Sequence, residues 1–599
     1  MLRPSFCRTA DMSRKLFLLL LIPALLLIGG YLYLRFSLQS AIEKDEAATG
    51  KTVPAKDTLD GKKVSPLDLR PLLIQRLQTV LKKSSAGLYD LSVADLELDA
   101  LASVVTLKGL KLTPDSTVLD SLRKQKLLPE DVFSIRFDSL RIEGINADDA
   151  ITANTMDYTL IRLIKPVISI HHKKSAATKD IKEKEDFAQR FLKEMQSLSI
   201  KNLVVEDGTI NLYNATGTAP NVLKHVQINM NDIQLDSLTR LDKKRFLFAK
   251  SAAVSFSEYS RRTPDGLYQM KADKVAIKAP EDKVDITGFS FASPFSRTEF
   301  SARQKQSKEW YEVRLPSISL NGVRWWGLLN DEELSADALT VNGGKLNIFL
   351  DRSLPLKSKM GNFPNQMMMK IPLKMNVAKA TIQNLDFSYA EYSPVSGQTG
   401  TVYIDDITMD IANFSNEQRT APKPVTINGT ALFMRKVPVS AQFTFDMKRY
   451  KTGTFSTHLT VDGYDGTLLN SFTEPMGLMK IERGTLYRSE AHISGDERKA
   501  SGEVFIPYSD LKLSLLEKEK GKKDLDKKDV TSFLANLLLL KNDNPQTGKK
   551  SRREKADFTR IAEGGFFMLV WKTFLVGALR TIGAPEKIAY KTVASAKKE

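Results

Sequence analysis

The chain has 599 residues, of which 42% are hydrophobic, and its formal net charge is +17. This length exceeds what one ordinary core requires, and a chain with this hydrophobic content is well able to fold. A single cysteine, Cys7, excludes an intramolecular disulfide. Cys7 lies before the apolar stretch described next, whereas a bacterial lipoprotein carries its cysteine directly after one.

Residues 16–34 contain no charged side chain and are long enough to cross a bilayer core of roughly 30 Å as a helix. The basic residues that precede this stretch outnumber the acidic ones: Arg3, Arg8, Arg14 and Lys15 against Asp11. The positive-inside rule therefore predicts a cytoplasmic stub and single-pass anchor over 1–36, with the rest of the chain across the membrane. A cleaved signal peptide is the alternative, although the run is long for one and no small-residue cleavage site follows it directly.

Residues 37–66 are polar and are predicted to be a linker. Apolar residues at helical spacing predict an amphipathic helix over 67–83, and a connecting helix is expected near 119–128. From residue 89 onward, most of the chain alternates between apolar and polar residues with period two, which is typical of half-buried strands. The body from 67 to 516 is therefore predicted to hold roughly twenty strands or more.

The pattern of residues 133–170 returns at 311–348 when 178 is added to each number. Ile142 then corresponds to Leu320, Gly144 to Gly322 and Ile168 to Leu346, although few residues are identical. Internal repetition favours an elongated architecture, because each repeat packs mainly against its neighbours. We expect a mainly β protein: an elongated, repetitive antiparallel sheet coiled into a groove, with sandwiches and a closed barrel as the other options.

The apolar positions of these alternating segments are the candidate groove residues. They are Ile135, Phe137, Leu140, Ile142, Ile161, Leu163, Ile168, Ile170, Leu203, Val205, Ile210, Leu212, Val313, Leu315, Ile318, Leu320, Leu339, Val341, Leu346 and Ile348.

The carboxyl end has a different character. Residues 517–560 are rich in lysine and are expected to form a basic linker with a short helix, followed by an apolar helix and tail over 561–599. Lys572 lies in the middle of the apolar run, and a charge at that depth costs a spanning helix about 2.5–3.5 kcal/mol. An interfacial or groove-capping helix is therefore favoured over a second span. The membrane-docking candidates in this segment are Phe566, Phe567, Leu569, Trp571, Lys572, Phe574, Leu575 and Arg580.

No catalytic motif emerges from the sequence, so we expect no enzymatic activity, no metal and no cofactor. The five histidines lack metalloprotease spacing, and the pair His171 and His172, which could bind a metal, is better interpreted as a solvated strand end. The basic residues cluster at the two ends beside apolar segments. This distribution favours anionic lipid headgroups over nucleic acid as the partner.

Residues 476–516 resemble the carboxyl-terminal region of the AsmA-like family of envelope proteins. The matching positions are Ile481, Gly484, Leu486, Gly495, Ala500, Gly502, Val504, Tyr508, Asp510, Leu511 and Leu515. The closing apolar segment looks like the tail of family members that end in this way. The resemblance carries no catalytic residue.

The resemblance implies a protein held in the inner membrane by one amino-terminal helix, with its β-rich body in the periplasm. It also implies kinship with TamB and YhdP, whose repeating β-groove is thought to carry phospholipid between the membranes. The expected partners are therefore phospholipid, the inner membrane and, as a further option, the outer membrane or one of its proteins. This chain is shorter than those relatives.

The residues agree with that mechanism, because a coiled sheet with one apolar face forms a trough in which acyl chains escape water at about 0.8 kcal/mol per methylene. The same face could instead be filled by the protein's own side chains, as in a sandwich core. Two other functions remain open at this stage: a structural or assembly factor acting on outer-membrane proteins by contact alone, and a polysaccharide-processing enzyme.

Overall fold

A computed structural model describes residues 70–99, 101–125, 127, 129, 131–144, 155–172, 192, 196–213, 221–331, 333–417, 422–517, 525–527 and 541–595. The predicted anchor over 16–34, the linker over 37–66 and the short helix expected around 530–540 lie outside these residues.

The described part of the chain is mainly β, as the alternation predicts. Its strands are β1 Tyr89–Ser92, β2 Asp95–Asp99, β3 Val104–Pro114, β4 Asp131–Glu143, β5 Thr155–Ile164, β6 Val167–His172, β7 Ser197–Tyr213, β8 Asn221–Leu235, β9 Ala249–Arg262, β10 Gln269–Lys278, β11 Lys283–Ala292, β12 Trp310–Asn321, β13 Glu333–Asp351, β14 Lys374–Ser393, β15 Gln398–Ser415, β16 Val425–Phe433, β17 Val437–Phe445, β18 Phe455–Val461, β19 Tyr464–Asp465, β20 Met479–Leu486, β21 Ser489–Gly495, β22 Lys499–Phe505, β23 Tyr508–Glu517, β24 Asp526–Lys527 and β25 Arg553–Thr559.

The α-helices whose bounds lie within the described residues occur mostly at connections and at the two ends of that part of the chain. They are α1 Arg70–Ser84, α2 Ser116–Lys124, α3 Arg297–Ala302, α4 Trp325–Asn330, α5 Pro364–Met369, α6 Asn470–Gly477, α7 Phe566–Thr581 and α8 Glu586–Ser595. Helices α1 and α2 correspond to the two helices predicted near 67–83 and 119–128.

One sheet holds 21 of these strands, and β19, β20, β23 and β24 form a separate small sheet. In the large sheet the strands follow one another almost in chain order, from β1 and β2 beside β3 to β18, β21, β22 and finally β25. At about 4.8 Å per strand, this row runs on the order of 90 Å along the hydrogen-bonding direction. The prediction of a mainly β protein with one large sheet of many strands is confirmed.

The prediction of a purely antiparallel sheet is wrong at two places. Strands β5 and β6 pair with β7 in parallel, and β13 pairs with β14 in parallel. In both cases more than twenty residues separate the paired strands, which is enough for the crossover that a parallel pair requires. The sheet is therefore mixed.

The sequence repeat is also a repeat of strand pairing. Leu140 faces Leu163 between β4 and β5, and the corresponding residues Ile318 and Val341 face each other between β12 and β13. The parallel pairing follows in both copies, joining Leu163 to Val205 and Val341 to Ile382. We call the unit β3–β8 the first copy and the unit β11–β15 the second copy. Two stretches with few identities thus adopt the same order and register of strands.

A line of irregularities crosses the sheet at glycines and polar residues on successive strands. Asp207, His225, Glu258 and Asp406 have positive φ at these points, and Gly288 and Gly343 continue the line between them. The register shifts beside Asp207, His225 and Asp406 mark them as β-bulges. Each extra residue bends its strand and increases the local twist, so a continuous line of bulges curves the sheet.

The bulges also explain a phase change in the sequence pattern. In β4 the apolar residues Ile135 and Phe137 precede the irregularity and Leu140 and Ile142 follow it, so the period-two alternation slips by one residue. All four side chains nevertheless lie in one buried cluster. The extra residue therefore keeps both halves of the strand facing the same side.

Two hydrophobic cores lie at opposite ends of the row of strands. The amino-terminal core packs the first copy together with Leu77 and Leu81 of α1 and Trp325 of α4. The carboxyl-terminal core packs β17, β18, β21, β22 and β25 against α7 and α8. Strand β25 lies within the segment expected to be a basic linker, and it completes this end of the sheet by pairing with β22.

Candidate functional site

Apolar residues form continuous rows across the middle of the large sheet. Paired positions on successive strands line up as Val275, Ile286, Ile318, Val341, Ile382 and Met409. On the other side of the bulge line, a second row runs through Phe291, Val313, Leu346, Phe387, Ile404 and Phe433. We call the residues of these two rows the central apolar face; they lie on β10 to β16.

All residues of the central apolar face except Val341 are half-buried, and Val341 is buried. None of them belongs to the buried members of either core, nor to the partly buried residues packed against one. The adjoining positions Arg314, Ser317 and Lys345 are exposed and polar. This part of the sheet therefore has one apolar side that retains contact with solvent.

The first copy presents a different surface. Its candidate groove residues are buried in the amino-terminal core, except Leu212, which is half-buried and packs against that core. Leu140 is 0% exposed, and α1 contributes Leu77 and Leu81 to the same cluster. In the first copy the apolar face is therefore filled by the protein's own side chains, which was the alternative that the sequence left open.

The candidate groove residues of the second copy are half-buried apart from Val341. Leu320 and Leu339 lie at the strand ends nearest the amino-terminal core and pack against it. Ile318, Val313, Leu315, Leu346 and Ile348 do not. The predicted groove residues are thus divided between a closed core and an open face.

Helix α7 covers the carboxyl-terminal end of the sheet. Phe566 packs edge-on against Phe455 at 4.8 Å between ring centroids, and Leu569, Val570 and Val576 are buried beneath the helix. Gly577 lies so close to Val504 that a Cβ at this position would approach the valine side chain to 2.6 Å. The segment predicted to dock on a membrane or cap the groove is thus packed on the sheet as a cap.

The membrane-docking candidates are distributed over both sides of this cap. Phe566 and Leu569 are buried, Phe567 is 70% exposed, and Trp571, Phe574 and Leu575 are half-buried. The two basic candidates, Lys572 and Arg580, make contacts within the protein. Lys572 Nζ donates to the Val593 carbonyl at 2.8 Å, and Arg580 pairs with Glu554 and Glu586 at 3.4 Å each.

A buried arginine anchors the start of this cap. Arg560 donates through Nε to the Gly564 carbonyl, through Nη1 to the Glu497 carbonyl at 3.0 Å and through Nη2 to the Lys359 carbonyl at 2.7 Å. Its guanidinium also stacks over the Phe363 ring at 4.5 Å. No sequence motif marks this residue, because two of its three partners, Glu497 and Lys359, lie far from it in the chain.

Charged groups along the bulge line are the other polar feature near the central apolar face. Burial raises the pKa of the Asp405 carboxyl, and the nearby carboxylate of Asp386 raises it further. Arg435 counteracts this at 3.4 Å from the Asp405 carboxylate. Among the described residues, no group of three or more His, Cys, Asp or Glu side chains could hold a metal ion.

The pair His171 and His172 ends β6. The His171 ring stacks on Tyr213 at 4.2 Å, and burial lowers the pKa of His171. The side chain of His172 lies outside the described part of the structure. His171 is thus placed at a strand end, as expected.

None of the helices in the described residues has the length and apolar character that a membrane span requires. No protein-family model matches the chain, and no curated protein sequence matches it significantly.

Proposed function

We propose that this chain binds phospholipid acyl chains on the central apolar face and conveys them as an inner-membrane-anchored periplasmic protein in outer-membrane biogenesis. The single observation that supports the proposal most is the pair of half-buried apolar rows over β10 to β16. The apolar stretch at 16–34 and the resemblance of residues 476–516 to AsmA-like proteins support the location.

The dimensions of the face suit this ligand. The strands from β10 to β16 span on the order of 30 Å at about 4.8 Å per strand. The hydrocarbon core of a bilayer is about as thick and holds two acyl chains end to end. Each methylene that leaves water for such a surface contributes about 0.8 kcal/mol, while the headgroup can stay in water at the open side.

The filled first copy and the capped carboxyl-terminal end have separate roles in this proposal. The amino-terminal core makes one end of the sheet rigid, and α7 closes the apolar side at the other end. Lipid binding is therefore assigned to the second copy and its neighbours, and not to the whole predicted set of groove residues.

Site-specific photo-crosslinking in the full chain tests the proposal. A photoreactive phenylalanine derivative at Ile318 or Leu346 should form phospholipid adducts in cells, detected by mass spectrometry. The same group at Arg314, which is exposed on an adjoining position of the same strand as Ile318, should form few or none.

Equal adduct yields at Ile318, Leu346 and Arg314, together with no phospholipid co-purifying with the chain, would contradict the proposal. Protein adducts at Ile318 in place of lipid adducts would support an assembly factor that acts by protein contact.

A further inference from the structure

The connection between β8 and β9, residues 236–248, exposes two leucines. Leu238 is 86% exposed and Leu241 is 61% exposed. Among the large hydrophobic side chains of the described residues, only Leu101 is more exposed than Leu238. Leucines in a water-facing loop contribute little to the stability of the fold, so this pair offers apolar surface for contact with a partner. We call residues 236–248 the leucine loop.

The leucine loop is held in shape from both of its ends. The Asp236 carboxylate accepts hydrogen bonds from the backbone N–H groups of Leu238 and Thr239 at 2.8 and 2.7 Å. At the other end, Arg245 donates to the carbonyls of Asp232 and Phe248 at 2.8 and 3.0 Å. The loop therefore holds Leu238 and Leu241 away from the body of the protein in a defined conformation.

An aromatic contact ties the leucine loop to the amino-terminal core. Phe246 is buried and meets Trp325 edge-on at 5.3 Å between ring centroids. Trp325 in turn donates from its indole N–H to the Ala279 carbonyl at 3.2 Å. Leu320 and Leu339 of the second copy pack against the same core. The loop therefore lies on the same side of the sheet as the strand ends that carry these two residues.

The charges of the leucine loop point to its partner. The side chains of Arg240, Lys243 and Lys244 have no hydrogen-bond or ion-pair partner among the described residues. The two acids are satisfied within the loop, since Asp236 caps the backbone and Asp242 pairs with Arg245 at 3.5 Å. Three unpaired basic side chains beside two exposed leucines are complementary to a surface that is anionic and partly apolar.

We propose that the leucine loop docks on an anionic lipid surface, with Leu238 and Leu241 inserted below the headgroups and the three basic side chains in contact with lipid phosphates. This contact does not require a lipid on the central apolar face, so it is independent of the function proposed above. It would place a membrane surface beside the strand ends that carry Leu320 and Leu339 of the second copy.

The test uses the full chain carried in nanodiscs of phosphatidylcholine. An environment-sensitive fluorophore is attached to Ser237→Cys in a Cys7→Ser background, which leaves both leucines in place. Titration with vesicles containing phosphatidylglycerol should shift the emission to the blue, and vesicles of pure phosphatidylcholine should not. A label at Lys436→Cys should give an unchanged emission. This residue lies in the turn between β16 and β17, at the strand ends opposite to those beside the leucine loop.

Two sets of variants separate charge from insertion. The triple change Arg240→Gln, Lys243→Gln and Lys244→Gln should weaken apparent vesicle affinity by about 100-fold, given the contribution of each basic residue near an anionic surface. The matched triple Lys271→Gln, Lys274→Gln and Lys305→Gln removes the same charge from other exposed positions and should leave affinity nearly unchanged. Leu238→Ser with Leu241→Ser should abolish the blue shift.

An unchanged Ser237 label at saturating anionic vesicles would overturn the proposal. Equal losses from the two triple variants would also overturn it, because the attraction would then depend on net charge alone.

Discussion

The two copies of the repeat share one register of strand pairing but differ in what covers their apolar faces. In the first copy, α1 and the aromatic contact between Phe246 and Trp325 complete a buried core. In the second copy, the equivalent residues other than Val341 remain half-buried along the middle of the sheet. A period-two pattern thus predicts which side of a strand is apolar, and elements distant in the chain decide whether that side is closed.

The largest expected effect comes from placing a carboxylate at equivalent positions of the two copies. Leu140→Asp buries an unpaired charge where the native side chain is 0% exposed, and we expect a loss of more than about 4 kcal/mol in the free energy of unfolding. Ile318→Asp keeps access to water, and we expect a loss of about 1 kcal/mol. Urea denaturation followed by circular dichroism measures both. Collapse of both variants would mean that the second copy is as closed as the first.

Truncating two corresponding apolar side chains to alanine compares the two copies with a milder change. Ile168→Ala leaves a cavity in the amino-terminal core, and we expect a cost of about 2–5 kcal/mol in unfolding free energy. Leu346→Ala, its counterpart in the second copy, should cost less than about 1.5 kcal/mol because water already reaches this position. Equal costs by thermal and chemical denaturation would remove the distinction between a filled and an open face.

The cap over the carboxyl-terminal end offers a third way to test the comparison. Arg560→Met removes the donors to the Lys359, Glu497 and Gly564 carbonyls while retaining much of the side-chain volume. We expect a cost of about 1–3 kcal/mol and faster hydrogen exchange in α7. Arg324→Met, at an exposed ion pair, is the control and should change little. Unaltered exchange in α7 would show that Arg560 does not hold the cap.

The smallest expected effect concerns alkaline pH. Burial raises the pKa of Tyr158 in the first copy well above its usual value of 10.0. The unfolded chain then loses the phenolic proton at a lower pH than the folded chain, so stability falls as pH rises above about 10. Tyr158→Phe should flatten this fall in unfolding free energy between about pH 10 and 11, measured against the native chain. An identical slope in both proteins would assign the loss to other groups.

Local sequence pattern was sufficient for much of the fold because strand alternation and helical periodicity depend on near neighbours. It predicted helices α1 and α2, most of the strands and the duplicated stretches. The parallel pairings escaped prediction, since nothing in the alternation of β7 or β14 indicates the direction of its neighbour. Strand β25 was missed because its seven residues, Arg553–Thr559, include only Ala556 and Phe558 as apolar positions within a basic stretch.

The candidate site, like the fold, could be predicted from the sequence only in part. The sequence by itself determined that Ile142, Ile318 and their neighbours lie on the apolar side of their strands, because pleating places alternate residues on one side. Only the tertiary structure decided that Ile142 lies within a core and Ile318 on a partly open face. Burial depends on whether another surface arrives to exclude water, and α1, α4 and α7 reach their positions through contacts between residues far apart in the chain.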